Sequence, residues 1–190
     1  MKVFFTASQR GKRKFGIYYK TIIKEIKRLG YTTIEDELFN MSTPSFYQEL
    51  NEGGIQAKQK FYKATEERLA KTDIAIFDCS LHSLSIGFAI EKALELGKPT
   101  IVLYLTNHEP YFLEGITNDQ FFVHAYTPKN IQSVVKTALL NARNHKEKRF
   151  NFFLSPKIVT FVEKRSKSLG MTKSTYMRGL IIDDMRKEKI

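Results

Sequence analysis

Two short polar segments carry the residue types best suited to binding a phosphate group. They span residues 7–11 and 80–87, and each follows an apolar run and leads into a helical pattern. Their side chains include three hydroxyl groups and one guanidinium: Ser8, Ser83, Ser85 and Arg10. A helix amino terminus adds free N–H groups and the positive end of its dipole. Taken singly, each serine is more readily explained as a helix cap. Together the two segments predict an anion site, provided that the fold brings them together.

Apolar runs and helical periodicities alternate along the first 140 residues. Strands are predicted at 3–6, 31–34, 74–77, 100–104 and 121–124. Helical spacing of apolar residues follows most of these runs, with the fullest match at Ile131–Leu139. The polar stretch 40–51 contains Pro44 and is predicted to be a loop. The alternation predicts an α/β fold with a parallel five-stranded sheet and helices on both faces. In such sheets ligands bind outside the carboxyl ends of the strands, where both polar segments fall.

These segments resemble the nucleoside 2-deoxyribosyltransferase-like family, particularly its nucleotide N-glycoside hydrolases. The anchors are residues 5–11, 73–78, 83–88 and 93–99. The resemblance implies a flavodoxin-like or Rossmann-like domain that holds a nucleoside 5′-monophosphate-like ligand. It also implies the ligand- and phosphate-binding positions, which are Ser8, Arg10, Gly11, Asp78, Ser83, Ser85 and Gly87.

One position departs from the family pattern. The nucleophile of this family is a glutamate two residues after the motif glycine, and it forms a covalent glycosyl intermediate. Gly87 is followed here by Phe88 and Ala89, so no catalytic residue is expected at that position. Glu91 lies two residues farther on, and two residues turn a helical side chain by about 200°. The substitution therefore predicts a catalytically inactive domain.

Positive charge is concentrated at the end of the chain. The formal net charge is +11, and residues 142–190 contain 13 Lys and Arg against 5 Asp and Glu, a net of +8. Such asymmetry is typical of a nucleic-acid or membrane partner. No apolar stretch approaches the roughly 20 residues of a membrane span, so a membrane partner is not expected.

The last 43 residues contain a short alternating segment followed by two helical patterns. Ser155-Pro156 is a typical helix start, Gly170 a typical end, and Thr172 or Ser174 would cap the second helix. So small a unit needs a partner to cover its apolar faces. The pattern resembles the ribbon-helix-helix family of dimeric DNA-binding proteins. That resemblance places Arg149, Asn151 and Phe153 at base edges, and Lys173 and Ser174 at a phosphate.

The sequence thus predicts three segments. These are an α/β domain at 1–141, a linker at 142–147 and a ribbon-helix-helix module for DNA binding and dimerisation at 148–190. The leading hypothesis is a dimeric transcriptional regulator that binds double-stranded DNA. In it the α/β domain would serve as an inactive nucleotide sensor or as a platform for a homodimer or higher even oligomer.

Two alternatives remain open at this point. One is a nucleotide N-glycosidase or deoxyribosyltransferase that uses Glu91 or Asp78, and the other is an antitoxin-type autorepressor. No cofactor and no metal site are predicted, because no histidine or cysteine cluster has metal-ligand spacing. The single cysteine, Cys79, fits a reducing compartment, and the expected location is cytoplasmic.

Overall fold

The computed structural model describes residues 1–34, 40–144 and 153–188. The chain divides into two compact units, Met1–Lys148 and Arg149–Ile190. Within the described residues, no helix is both long and apolar enough to cross a membrane.

The first unit is built on a five-stranded parallel sheet. Its strands are β1 (Lys2–Ala7), β2 (Thr32–Ile34), β3 (Ile74–Asp78), β4 (Thr100–Leu105) and β5 (Phe121–Tyr126). They are arranged in the order β2-β1-β3-β4-β5, and every neighbouring pair is parallel. This is the doubly wound order in which the chain changes direction between β1 and β3. The predicted parallel sheet is therefore confirmed.

Helices cover both faces of this sheet because successive strand residues point to opposite sides. One face packs against α1 (Lys12–Arg28) and α5 (Ile131–Asn144), and it buries Phe5, Tyr19 and Leu139. The other face packs against α3 (Gly54–Lys71) and α4 (Leu84–Glu95), and it buries Phe77 and Ile90. Because β1 and β3 have apolar contacts on both faces, their sequences are continuous apolar runs and do not alternate between apolar and polar residues.

Two sequence predictions require correction here. The stretch predicted as a loop at 40–51 instead forms α2 (Thr43–Glu52). Ser42 caps this helix by accepting a hydrogen bond from the Ser45 N–H at 3.2 Å, and Pro44 lies in its first turn, where proline is tolerated. Helix α5 runs to Asn144, so it includes the first three residues of the predicted linker.

A buried hydrogen-bond network joins the carboxyl ends of three strands. The Tyr126 hydroxyl donates to Asp78 Oδ2 at 2.7 Å, and the Ser80 N–H donates to Asp78 Oδ1 at 2.9 Å. The Ser80 hydroxyl accepts from the Leu105 N–H at 2.8 Å and lies 3.2 Å from the Tyr126 hydroxyl. Because β3, β4 and β5 all contribute, the network holds their carboxyl ends together at the side of the sheet where the loops after these strands begin.

The second unit contains two helices within the described residues. They are α6 (Pro156–Ser168) and α7 (Lys173–Lys187), separated by a turn in which Gly170 has φ of +66°. Thr172 caps α7 by accepting from the Thr175 N–H at 3.1 Å. Only Val162 and Ser166 of α6 are buried, and α7 has no buried residue.

The buried carboxyl group of Asp78 makes the stability of the protein depend on pH. Burial raises its pKa from 3.8 to about 6, against the opposing effect of hydrogen bonds from Tyr126 and Ser80. The folded state therefore holds this proton more tightly than the unfolded chain does. The resulting stabilisation is complete below pH 4 and is lost as the pH rises through 6.

We expect Asp78 to lower the free energy of unfolding by about 2 kcal/mol between pH 4 and pH 7. Asp78→Asn retains the shape of the side chain and removes the titration, so its stability should fall less over this range. Urea unfolding at several pH values measures the difference, with the exposed Glu49→Gln as control. Parallel pH profiles for wild type and Asp78→Asn would contradict this assignment.

Candidate functional site

A cavity of about 320 Å³ opens at the carboxyl ends of β1 and β3. Its wall comes from the end of β1 and the loop after it, from the start of α4, and from α2 and α3. The lining residues are Phe4, Thr6, Ala7, Ser8, Gln9, Phe46, Tyr47, Leu50, Phe61, Thr65, Ser83, Ser85, Ile86 and Ala89. The parallel pairing of β1 with β3, which aligns Ala7 with Asp78, brings the two predicted polar segments to one place.

The loop after β1 forms a tight turn beside the cavity. Gln9–Gly11 make one turn of 3-10 helix, and the Gly11 N–H donates to the Ser8 carbonyl oxygen at 2.9 Å. A Cβ atom on Gly11 would collide with the Tyr19 hydroxyl oxygen. Any larger residue here would have to displace the buried Tyr19 ring. The Ser8 side chain lines the cavity and makes no capping hydrogen bond to the turn.

The second polar segment presents its hydroxyl groups at the start of α4. Ser83 occupies the N-cap position with an extended backbone, yet its side chain makes no capping hydrogen bond. Its hydroxyl oxygen lies 3.0 Å from that of Ser85. The first turn of α4 contains no acidic residue, so the positive end of the helix dipole is not offset there. Two hydroxyl groups and a helix amino terminus therefore meet at the cavity.

Gln9 was not predicted as a site residue, and its environment is unusual. The residue lines the cavity and is only 8% exposed. Neither Nε2 nor Oε1 of its side-chain amide has a hydrogen-bond partner among the described residues. Its backbone carbonyl oxygen accepts from the Thr43 hydroxyl at 3.0 Å, which ties this loop to the start of α2.

Aromatic side chains from α2 and α3 form the opposite wall. The Phe46 ring packs edge-on against Phe61 at 5.1 Å between centroids and against Tyr47 at 5.3 Å. Phe46 and Tyr47 lie in the stretch predicted as loop, and sequence reasoning missed their role. The signal was present, because Ser42 and Pro44 form a helix start and Phe46 and Leu50 have i, i+4 spacing.

Ala89 faces this cavity and is 5% exposed. None of the described residues that line the cavity is an aspartate or glutamate. Glu91 instead lines a neighbouring groove of about 650 Å³, together with Gly87 and Phe88. Asp78 is fully buried and bonded to Tyr126 and Ser80. Neither carboxylate proposed for the enzyme alternative therefore lines the cavity.

The structure brings three of the predicted ligand residues to the cavity: Ser8, Ser83 and Ser85. Four others do not line it. Arg10 is exposed within the turn after β1, and Gly11 packs against Tyr19. Asp78 belongs to the buried network, and Gly87 lies in the neighbouring groove.

The residues predicted to contact DNA are only partly described. Arg149 and Asn151 lie outside the described residues, and Phe153 is fully exposed with no strand assignment. The Lys173 ammonium group pairs with Glu163 Oε1 at 2.8 Å, and Ser174 is exposed in the first turn of α7.

Comparison with known proteins gives a match for the first unit. No family model matches the chain. A curated protein of Thermofilum pendens (strain DSM 2475 / Hrk 5), named "Putative 2'-deoxynucleoside 5'-phosphate N-hydrolase 1", is 26% identical over 134 residues. The match covers 67% of this chain and 86% of that protein.

Two solved structures are similar at low sequence identity. A Clostridium botulinum CMP N-glycosidase, BcmB, is 14% identical with a TM-score of 0.47, covering 72% of this chain and 97% of that one. A de novo designed Rossmann 2x3 fold protein is 15% identical with a TM-score of 0.43, covering 81% and 98%.

The sequence match overturns the leading functional hypothesis. A DNA-binding transcriptional regulator with an inactive first domain is the wrong class, because the similarity is to a protein named as a nucleotide N-hydrolase. It favours the nucleotide N-glycosidase alternative instead. The prediction of a DNA partner rested on the excess of positive charge in the last 49 residues. Surface charge alone does not identify a specific partner. The first unit is a Rossmann-like α/β domain whose sequence is similar to that of a protein named as a 2'-deoxynucleoside 5'-phosphate N-hydrolase.

Proposed function

We propose that the first unit binds a 2′-deoxynucleoside 5′-monophosphate in the cavity beside the carboxyl end of β1 and hydrolyses its N-glycosidic bond. The observation that carries this proposal is the meeting of Ser8, Ser83 and Ser85 at one cavity, beside the start of α4. The name of the curated relative agrees with this substrate class.

The phosphate group lies at the serine side of the cavity. The hydroxyl groups of Ser83 and Ser85 and the N–H groups at the start of α4 donate hydrogen bonds to its oxygens. Phe46 and Phe61 form an aromatic wall that suits a planar base. The sugar then lies between these two ends, near the methyl group of Ala89.

The reaction breaks the C1′–N bond and forms a C1′–O bond with water. The base leaves with the bonding electron pair and acquires a proton, and 2-deoxyribose 5-phosphate is the second product. Such reactions pass through an oxocarbenium-like transition state. A 2-deoxy sugar reaches this state more easily because it has no electron-withdrawing 2′-hydroxyl group. With Ala89 in place of the family glutamate, water adds directly and no covalent glycosyl-enzyme forms at this position.

The central prediction is that the protein releases free base from 2′-deoxynucleoside 5′-monophosphates. Ala89→Glu restores a carboxylate facing the sugar, so we expect it to accelerate release by on the order of 10²-fold, the lower end of what a positioned acid or base contributes. Chromatographic detection of the base measures both rates, and intact-protein mass spectrometry detects a glycosyl adduct only in Ala89→Glu.

Glu91→Ala provides the matched control, because Glu91 lines the neighbouring groove and not the cavity. We expect it to retain the wild-type rate. If the wild type releases base from none of the four common deoxynucleotides, the hydrolase proposal fails, whatever the activity of Ala89→Glu.

The serine hydroxyls should control affinity for the phosphate. Removing one hydrogen bond to a charged group costs about 1.5 kcal/mol or more, so Ser83→Ala should weaken monophosphate binding by about tenfold. Binding of the corresponding nucleoside, which has no phosphate, should change little. Isothermal titration calorimetry measures both affinities, with Ser174→Ala in the second unit as control. Equal losses for nucleoside and nucleotide would place the phosphate elsewhere.

For the second unit, we propose a ribbon-helix-helix type module that pairs with a second copy of itself. Its support is the number of apolar side chains that α6 and α7 leave exposed: Ile158, Val159, Phe161, Leu180, Ile181, Ile182 and Met185. A unit of this size does not bury a sufficient core alone and commonly depends on association. A second copy offers the matching apolar faces.

Ile181→Glu should shift the protein from dimer, or a higher even oligomer, toward monomer. The side chain is 59% exposed in the single chain, and a carboxylate there would be buried without a partner in the dimer. Size-exclusion chromatography with light scattering gives the mass, and Lys187→Glu on the same helix is the control. An unchanged mass for Ile181→Glu would contradict the proposed contact.

A further inference from the structure

Gln9 holds a buried amide group that the fold does not satisfy. Its Nε2 donors and Oε1 acceptor have no hydrogen-bond partner among the described residues, and the residue is 92% buried. Most buried polar side-chain atoms in folded proteins have a partner, and each exception calls for a reason. Leaving such a group unpaired lowers the stability of the folded state. A buried amide without a partner in the protein therefore indicates a hydrogen-bond partner supplied by a ligand.

The position of Gln9 indicates which part of a ligand it meets. Its backbone is tied to the first turn of α2 by the hydrogen bond from Thr43 to its carbonyl oxygen. Helix α2 also carries Phe46 and Tyr47, which form the aromatic wall of the cavity. Gln9 is therefore linked to the aromatic wall, where the proposed function places the base.

We propose that Gln9 is the residue that recognises the base of the nucleotide. Resting on the proposed function, this inference assigns its side-chain amide to a base edge on which a hydrogen-bond donor and an acceptor lie side by side. An amide offers one donor and one acceptor in the same plane, as glutamine does in bidentate contacts with adenine. A change of side-chain rotamer, which is common on binding, turns the amide from its buried position toward the base.

This assignment explains why a polar residue occupies this place in the wall. An apolar residue of similar size would remove the unpaired amide and stabilise the unliganded protein. It would also leave the polar edge of a bound base without a partner. With glutamine at this position, the unliganded protein is less stable, and the bound base gains hydrogen bonds in the complex.

The test compares Gln9→Leu with wild type in two measurements. First, Gln9→Leu should weaken binding of dAMP, dCMP, dGMP or dTMP, whichever binds the wild type best, by about tenfold to a hundredfold. Binding of 2-deoxyribose 5-phosphate, which has no base, should be unchanged. Second, the melting temperature of unliganded Gln9→Leu should equal or exceed that of wild type. Gln132→Leu, the same substitution on the exposed face of α5, is the control.

The outcomes separate this inference from the proposed function. If wild type binds a nucleotide and Gln9→Leu binds it equally well, Gln9 does not recognise the base and the pocket assignment survives. If Gln9→Leu loses nucleotide and sugar phosphate alike, or melts at a lower temperature than wild type, its role is structural and the inference is overturned. If wild type binds neither nucleotides nor 2-deoxyribose 5-phosphate, the proposed function fails, and the base-recognition inference fails with it.

Discussion

The parallel pairing of β1 with β3 is the constraint on which the site depends. These strands are separated by about 70 residues of sequence, yet Val3 pairs with Ile74 and Ala7 with Asp78. Because the chain leaves β1 and β3 toward opposite faces of the sheet, a space opens between the two following loops. Ser8 and Gln9 reach it from one loop, and Ser83 and Ser85 from the other. Without this register the four side chains would share no surface.

Two buried polar side chains at the carboxyl ends of the strands differ in their hydrogen bonding. The difference distinguishes a structural group from a group that could bind a ligand. Asp78 is fully buried and receives hydrogen bonds from Tyr126 and Ser80, so its polar atoms are satisfied within the fold. Gln9 is nearly as buried and has no such partner. A hydrogen-bonded group such as the Asp78 carboxylate stabilises the ends of the strands from which the loops begin. An amide without a partner, such as that of Gln9, lowers the stability of the fold unless a ligand forms hydrogen bonds with it. The acidic residue that resembles a ligand contact in the sequence is thus part of the framework.

The second unit shows the limit of reasoning from charge. Its positive charge predicts a nucleic-acid partner, but the curated relative of the chain is named as a nucleotide N-hydrolase and gives that prediction no support. Lys173, expected at a phosphate, pairs with Glu163. What distinguishes this unit physically is its apolar surface, since α7 buries none of its residues and leaves Ile181 and Leu180 exposed.

The sequence by itself determined the alternation of strands and helices, because period-2 and period-3.6 apolar patterns are local properties of the chain. It also placed Ser8 and Ser83 in the two polar segments that the structure brings to one cavity, and it showed Ala89 two residues after Gly87, because residue type and local helix and strand signals are enough for both. Helix α2 is the element that the sequence does not predict, because Pro44 is a loop signal on its own and a helix-start signal only after a capping residue such as Ser42. Only the tertiary structure decided that Asp78 is buried, that Glu91 lies in another groove, and that Gln9 has no partner. Burial and hydrogen-bond satisfaction depend on residues distant in sequence, and no local pattern encodes which of them meet.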